Sequence, residues 1–278
     1  MFSISILVLR PTRGTENEGH RAKNASTDGL TYSAFTGWTD RPTDLAPALK
    51  GEVRCDVAVV GGGLVGMAAA LRLAERGVDV ALLEGGYCGW GASSRNAGYL
   101  SNALAGDPQL LRLLYRRRLR DLVRYGGNAA EFTEDLIGRL AIDCEYDPTG
   151  NVIAAVSIGQ FRRLRKNMGI LRDAGADVEF VDGRDFGLPG TFLGGIFERG
   201  GGLLNPGKLA LGLRAVLLAS SAKVFERTAV EAVEPDGAGV VLIVPGGRVR
   251  AERVGLATNA HSRDLEIGLG EHRYSGWR

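Results

Sequence analysis

Residues 56–84 read DVAVVGGGLVGMAAALRLAERGVDVALLE, and the succession of residue types in this stretch decides the fold. DVAVV at 56–60 is an apolar run of strand length, closed by Gly61, Gly62 and Gly63. Residues 64–76 are apolar at most positions and rich in alanine, as suits a helix lying close on a sheet. Gly77 stands where such a helix stops. Residues 78–83 form a second apolar run, ended by Glu84. Apolar strands joined through a helix imply a right-handed parallel crossover, so the spacing predicts an α/β fold.

Gly61, Gly63 and Gly66 have the spacing G-x-G-x-x-G at a strand-to-helix junction, the context that makes this pattern a dinucleotide-binding turn. Gly61 permits the tight turn, Gly63 lets the backbone approach a pyrophosphate, and Gly66 lets the helix sit close to the strand. Gly62, Leu64 and Val65 complete the turn at the positive end of the helix, which faces the phosphate charge. Glu84 lies about 20 residues on, where a carboxylate accepts hydrogen bonds from ribose hydroxyls. Its charge disfavours a 2′-phosphate, which ranks NADP below NAD and FAD. The bland alternative is a glycine turn beside an incidental surface acid. It leaves unexplained why strand, glycines, alanine-rich helix and terminal acid stand in register.

The next stretch, GWGASSRNAG at 89–98, is a small-residue loop with polar and cationic groups embedded in it. Small residues such as Gly91, Ala92 and Gly98 let backbone amides approach a flat ring and a pyrophosphate, while Ser93, Ser94, Arg95 and Asn96 offer side-chain contacts. An ordinary flexible loop is the competing reading. With the preceding motif, this loop resembles the D-amino-acid oxidase-like superfamily of FAD-dependent oxidoreductases, nearest to its glycine oxidase and gamma-glutamylputrescine oxidase branch. ATNA at 257–260 resembles the family element in which a strand end returns to the FAD side of the sheet, which implicates Thr258. TAV at 228–230 resembles the segment whose backbone, at Val230, holds the adenine.

The resemblance covers roughly residues 38–261 and implies FAD as cofactor. It further implies an FAD-binding Rossmann-type parallel sheet with an incomplete α+β substrate domain, because family members continue past the ATNA element with strands that bind the substrate's carboxylate. The implied reaction oxidises the C–N bond of an amino acid or amine to an imine, and oxygen or another acceptor reoxidises the flavin. The cofactor performs the hard step, so no catalytic residue is assigned. The rival readings are a truncated FAD-binding fragment without turnover and an NAD-dependent dehydrogenase. The second is disfavoured because the chain holds a single glycine motif of this kind.

Working outward, the motif block belongs to a discontinuous domain of residues 51–106 and 203–262, with 107–202 as an inserted helical and substrate-domain portion. Residues 1–50 form a tail and irregular arm, whose Tyr32, Phe35 and Trp38 are expected to dock on the domain, and 263–278 form a terminal tail. Helices are predicted over 107–124 and 128–140, separated by Gly126-Gly127, then over 158–174 and from Asn205-Pro206 to about residue 220. Strands are predicted over 151–156, 178–181, 224–226, 230–233, 240–244, 248–251 and 254–258, with a glycine-rich passage after 181 running through Gly202. Arg116, Arg117 and Arg118 read as a solvated helix face.

The 278 residues and 45% hydrophobic content support a globular core, and 34 basic against 32 acidic residues give no argument for nucleic acid or an anionic membrane as partner. A small molecule is the expected partner, and the sequence does not address oligomeric state. Cys55, Cys88 and Cys144 are odd in number and widely spaced, which argues against disulfides and a metal site and for a reducing compartment, the cytoplasm. Cys88, near the loop, reads as a small hydrophobe rather than a covalent flavin attachment. His261, just after the ATNA element, reads as structural. Residues 2–9 are apolar but too short and poorly flanked for a signal peptide, and no run of 18 apolar residues exists to span a membrane.

Overall fold

The structure is a computed structural model, and it describes residues 38–104, 106–263 and 265–267. The expected N-terminal tail with Tyr32 and Phe35, and nearly all of 264–278, lie outside the described residues. In chain order the elements are β1 (Gly51–Val60), α1 (Leu64–Ala74), β2 (Val80–Leu83), β3 (Tyr99–Ser101), α2 (Pro108–Leu114), α3 (Leu119–Arg139), β4 (Asn151–Ala155) and α4 (Ile158–Asp173). They continue with β5 (Val178–Asp182), β6 (Gly194–Glu198), β7 (Gly201–Leu203), α5 (Pro206–Leu218), β8 (Lys223–Phe225), β9 (Ala232–Asp236), β10 (Gly239–Val244), β11 (Gly247–Leu256) and β12 (Glu266–Ile267). The chain divides into two compact units, one comprising the residues up to Arg95 and from Ala210 onward, the other Asn96–Leu209.

The first unit is a seven-stranded mixed sheet in the order β12-β9-β10-β11-β1-β2-β8. Its centre is parallel: β1 pairs with β11 on one side and β2 on the other, and β2 pairs with β8. The hairpin β9–β10 extends it antiparallel from β11. Val57–Val60 are buried on both faces of β1, as is all of β2, which explains why these strands read as continuous apolar runs rather than as alternation. Helix α1 buries Gly66, Met67, Ala70, Leu71 and Ala74, one stripe at helical spacing. Full burial of Met67 and Leu71 contributes about 2 kcal/mol each by the usual transfer scale.

Two strands are longer than their sequence suggests. β1 starts at Gly51 rather than 56, and the two segments expected at 248–251 and 254–258 are one strand, β11, paired with β1 along its length. Charged residues hid this continuity. Arg248 Nε lies 2.7 Å from Glu52 Oε2, and Arg250 pairs with both Glu52 and Asp236, so strand charges are matched across the ladder instead of ending it. Within the described part of the arm, Leu49 is buried in the sheet's core and Trp38 is 42% exposed.

The second unit places α2, α3 and α4 with a three-stranded antiparallel sheet, β4-β6-β5, and a two-stranded one, β3-β7. Its core joins Leu119, Val123, Ile170, Leu171, Ala174, Val178 and Ile196. Asp107 caps α2 as its Asp-Pro sequence predicts, accepting the N–H groups of Gln109 and Leu110 at 2.9 and 3.2 Å. The break between helices, however, falls at Tyr115–Arg118, so Arg116 and Arg117 occupy an exposed connection and not a helix face. α3 runs straight through Gly126-Gly127. Gly126 is needed for contact instead of for a break, since a Cβ there would stand 2.6 Å from Asn102 O. The glycine-rich passage through Gly202, for which the sequence predicts no element, contains β6 and reaches into β7, and Gly195 and Gly202 allow neighbouring backbones closer than any side chain would.

Candidate functional site

The turn that joins β1 to α1 shows what each glycine does. Gly61 has φ of +104°, donates its N–H to Leu83 O at 2.8 Å, and would carry a Cβ 2.6 Å from Ala257 O. Gly66 would carry a Cβ 1.9 Å from Gly61 O, so the first helical turn rests directly on the end of β1. Both positions are demanded by the protein's contact with itself. Gly63 differs. It is the N-cap of α1, and the single atom near an added Cβ is Ser93 Oγ at 3.0 Å. In front of it is open space at the end of a helix whose first amides have no intrahelical acceptor. Val65, in that first turn, is 75% exposed.

Glu84 directly follows β2, and its carboxylate faces the turn. Oε2 accepts Gly62 N–H at 2.6 Å and Oε1 accepts Gly86 N–H at 2.7 Å. Its backbone is held as firmly, donating to Phe225 O at 2.9 Å and accepting from Thr228 N–H at 2.8 Å. Val230 lies just beyond, and Ala229 is the nearest neighbour that a Cβ on Gly85 would meet, at 3.5 Å. Thr258 follows Ala257, whose N–H donates to Val60 O at 2.8 Å, so the ATNA stretch lies against the turn. The Thr258 hydroxyl is 2.7 Å from Ser262 Oγ.

The loop after Glu84 uses its hydroxyls in two ways. Ser93 Oγ accepts Leu64 N–H at 3.0 Å, at the helix start. Ser94 is buried and donates to Gly89 O at 2.5 Å, so its hydroxyl braces the loop. The Arg95 guanidinium carbon is 4.2 Å from the centre of the Trp90 ring, a cation–π stack, and Trp90 stands edge-on to Tyr87. A Cβ on Gly91 would meet nothing within 4 Å. Ala92 and Ser93 belong to the single helical turn Ala92–Ser94. In the other unit, Asn96 Oδ1 accepts Gly98 N–H at 2.9 Å, and Gly98 has φ of +76° with Leu204 O 2.2 Å from an added Cβ. Gly98 is thereby required by its own neighbours.

An open helix start fronted by Gly63 offers amide donors suited to a pyrophosphate, and the carboxylate on the adjoining strand end is an acceptor suited to ribose hydroxyls. Among the described residues no group of His, Cys, Asp or Glu is placed to hold a metal ion. Cys88 is fully buried beneath the turn, 2.8 Å from where Gly62 would carry a Cβ, and burial pushes its thiol far above the usual range. It has the character of a packing residue. His261 is exposed and donates its N–H to Thr258 O.

One constellation escaped the sequence. Glu226, fully buried, accepts Ala46 N–H at 2.7 Å and Cys88 N–H at 2.8 Å, and both of its oxygens receive the Arg214 guanidinium at 2.8 Å. Arg214, 3% exposed, also donates to Asp44 O at 2.8 Å and Asp44 Oδ1 at 3.1 Å. A lone arginine inside the apolar helix sequence PGKLALGLRAVLL was the one available signal. Burial pushes the Glu226 carboxyl up, but the Arg214 fork and the two amides outweigh it and hold the group below its ordinary value of 4.5. Since the folded-state value is the lower, this carboxylate contributes stability that is present above the ordinary carboxylate range and lost as pH falls through the depressed value. Thermal melts on acidification should therefore lose stability more steeply for the parent chain than for Glu226→Gln. Parallel acid limbs would contradict this.

Three comparisons bear on the site. The family model described as DAO, FAD dependent oxidoreductase, matches residues 56–274. Among curated proteins, the chain is 32% identical over 224 residues to gamma-glutamylputrescine oxidoreductase of Escherichia coli (strain K12), covering 78% of this chain and 51% of that protein. It is 29% identical over 226 residues to glycine oxidase of Geobacillus kaustophilus (strain HTA426), covering 78% of this chain and 58% of the relative. The crystal structure of glycine oxidase from Geobacillus kaustophilus superposes with a TM-score of 0.58 at 30% identity, over 74% of this chain and 55% of that one. The chain thus spans about half the length of the curated relatives it matches.

Proposed function

Because the chain belongs to the DAO family of FAD-dependent oxidoreductases, we propose that it holds FAD on its first unit and takes part in oxidising the C–N bond of an amino acid or amine to an imine. The observation that carries the reading is the meeting of three features at one spot: the open Gly63 cap, the Glu84 carboxylate and the Leu64 amide held by Ser93. The pyrophosphate would lie over the amides of Gly63 and Val65, beside the Leu64 amide held by Ser93, where the helix dipole favours negative charge. Glu84 would accept from the ribose hydroxyls, Val230 would hold the adenine through its backbone, and Thr258 would face the flavin side. Gly61, Gly62 and Gly66 build the turn, while Gly91, Ala92, Ser93 and Arg95 belong to the loop that follows the ligand, with Ser94 bracing it from within.

Bound FAD would accept the hydride from the carbon next to nitrogen, leaving an imine that water hydrolyses. We assign the protein no acid or base, and the unit Asn96–Leu209 is read as the substrate portion. Within that unit lies a cavity of about 760 Å³, lined in part by Asn102, Arg163, Asn167 and the buried Glu198. No described helix is long and apolar enough to cross a membrane. Three buried free thiols suit the reducing cytoplasm.

The visible absorption spectrum of the purified chain, before and after adding FAD and removing the excess, tests the reading. A two-banded flavin spectrum followed by amine-dependent peroxide release supports the full proposal. Flavin that amines neither bleach anaerobically nor turn over to peroxide supports an FAD-binding fragment that lacks turnover, and a colourless protein counts against the site. Glu84→Ala is expected to weaken FAD binding roughly tenfold, about 1.4 kcal/mol, because ribose hydrogen bonds are lost while the phosphate site stays whole. The same change frees the Gly62 and Gly86 amides, so a small loss of melting temperature should accompany it. Unaltered affinity would remove Glu84 from the site.

A further inference from the structure

We propose that the buried Arg214–Glu226 pair is the positioning device of the dinucleotide site, fixing residues 84–89 in the register that brings Glu84 and Cys88 under the glycine turn. The proposal rests on the FAD reading above. Glu226 follows β8, the edge strand beside β2, and the two chains remain tied past the ends of their strands. Arg227 N–H donates to Gly86 O at 2.8 Å and Thr228 N–H to Glu84 O at 2.8 Å, while the Thr228 hydroxyl donates to Glu226 O at 3.0 Å. The Glu226 carboxylate then reaches across to Cys88 N–H. The next residue, Gly89, donates to Gly62 O at 2.7 Å, and the Cys88 sulfur fills the space under Gly62.

A continuous path of hydrogen bonds thus runs from Arg214 through Glu226 to Cys88, and from Gly89 to the carbonyl of the middle glycine. Among the described residues the Glu226 carboxylate accepts one guanidinium fork and two amides, one from the arm and one from the loop, and the Cys88 thiol also faces it. A buried ion pair is a poor means of gaining stability, because desolvation offsets its attraction. It is a good means of orienting backbone amides, since only one arrangement satisfies all the partners. Glu226 is fully buried and reaches the loop through Cys88 N–H, so the influence proposed for it on a ligand passes through residues 84–89.

The test uses the full chain with Arg214→Lys, which keeps the charge and loses the fork, and Glu226→Gln, which keeps one acceptor oxygen. For each protein, FAD affinity is measured by quenching of flavin fluorescence, folding by thermal melting, and loop mobility by the labelling rate of Cys88 mapped by mass spectrometry. Cys55, buried in β1, serves as internal control. Positioning predicts that Arg214→Lys melts cooperatively, binds FAD about tenfold more weakly, and labels at Cys88 about tenfold faster while Cys55 is unchanged. Variants that fold and bind FAD as the parent does would overturn the proposal. So would unfolding of both variants, or equal acceleration at both cysteines, since either assigns the pair to global stability alone. A parent chain that never binds FAD, with selective labelling of Cys88 retained in the variants, would refute the reading of the site while upholding the hold of the pair on the loop.

Discussion

A Gly63→Val protein is expected to purify without flavin and yet to melt much like the parent chain. Valine at an N-cap is unfavourable but tolerable, and the backbone here is extended, with φ of −75° and ψ of 178°, a conformation open to any residue. The added carbon meets one protein atom, the Ser93 hydroxyl oxygen at 3.0 Å, which a side-chain rotation relieves at the loss of one bond, that to Leu64 N–H. What the two methyl groups occupy is the volume in front of the first-turn amides, where a pyrophosphate must come within hydrogen-bond distance of the backbone. Exclusion from that volume removes several charge-assisted hydrogen bonds together, so FAD affinity should fall at least 100-fold, about 3 kcal/mol. The ratio of flavin to protein absorbance after gel filtration, beside a thermal melt, checks both halves. Flavin retained at the parent level would sink the assignment of this turn.

Gly66→Ala should do the opposite, damaging the fold before the site. Its Cβ would lie 1.9 Å from Gly61 O, a backbone atom that cannot rotate away and that is itself fixed by the strand ends around it. α1 would have to lift from β1, uncovering Met67 and Ala70, which have no exposure in the native packing. Overpacking of this kind costs about 3 kcal/mol or more, a large share of the stability of a domain. A loss of melting temperature well beyond that of Gly63→Val is the expected result. Equal melting temperatures for the two variants would mean that the helix does not rest on the strand as described.

This contrast shows why the motif could be read and other parts could not. The residue types from 56 to 84 constrain one another over short distances, through continuous apolar strand runs, helix spacing and the space each glycine must leave, so a linear pattern carries the local geometry. Glycine elsewhere was ambiguous. At Gly126 it signals close contact within a helix, and at Gly195 close contact between strands, and neither can be told from a turn without the neighbour that approaches. Ser94 was legible as part of the loop but not in its direction, because which way a hydroxyl points depends on the carbonyl of Gly89. The Arg214–Glu226 pair was hidden for a different reason. Its partners come from separate segments, with Ala46 lying 180 residues from Glu226 along the chain, and no periodicity records a bond of that span. Likewise, charges that looked like strand ends in β11 are neutralised by Glu52, 196 residues away from Arg248.

The pairing of β1 with β11 also has a history in time. On a ribosome adding about 5–20 residues per second, β1 leaves the exit tunnel tens of seconds before its partner exists. Throughout that interval the Val57–Val60 edge that β11 will cover has no native neighbour, although β2 on the other side is already made. The nascent chain therefore carries an adhesive, half-built sheet while the whole Asn96–Leu209 unit is being synthesised. A holding chaperone that recognises bare valine-rich strands should be found on stalled chains ending before residue 247 and should leave once β11 has emerged.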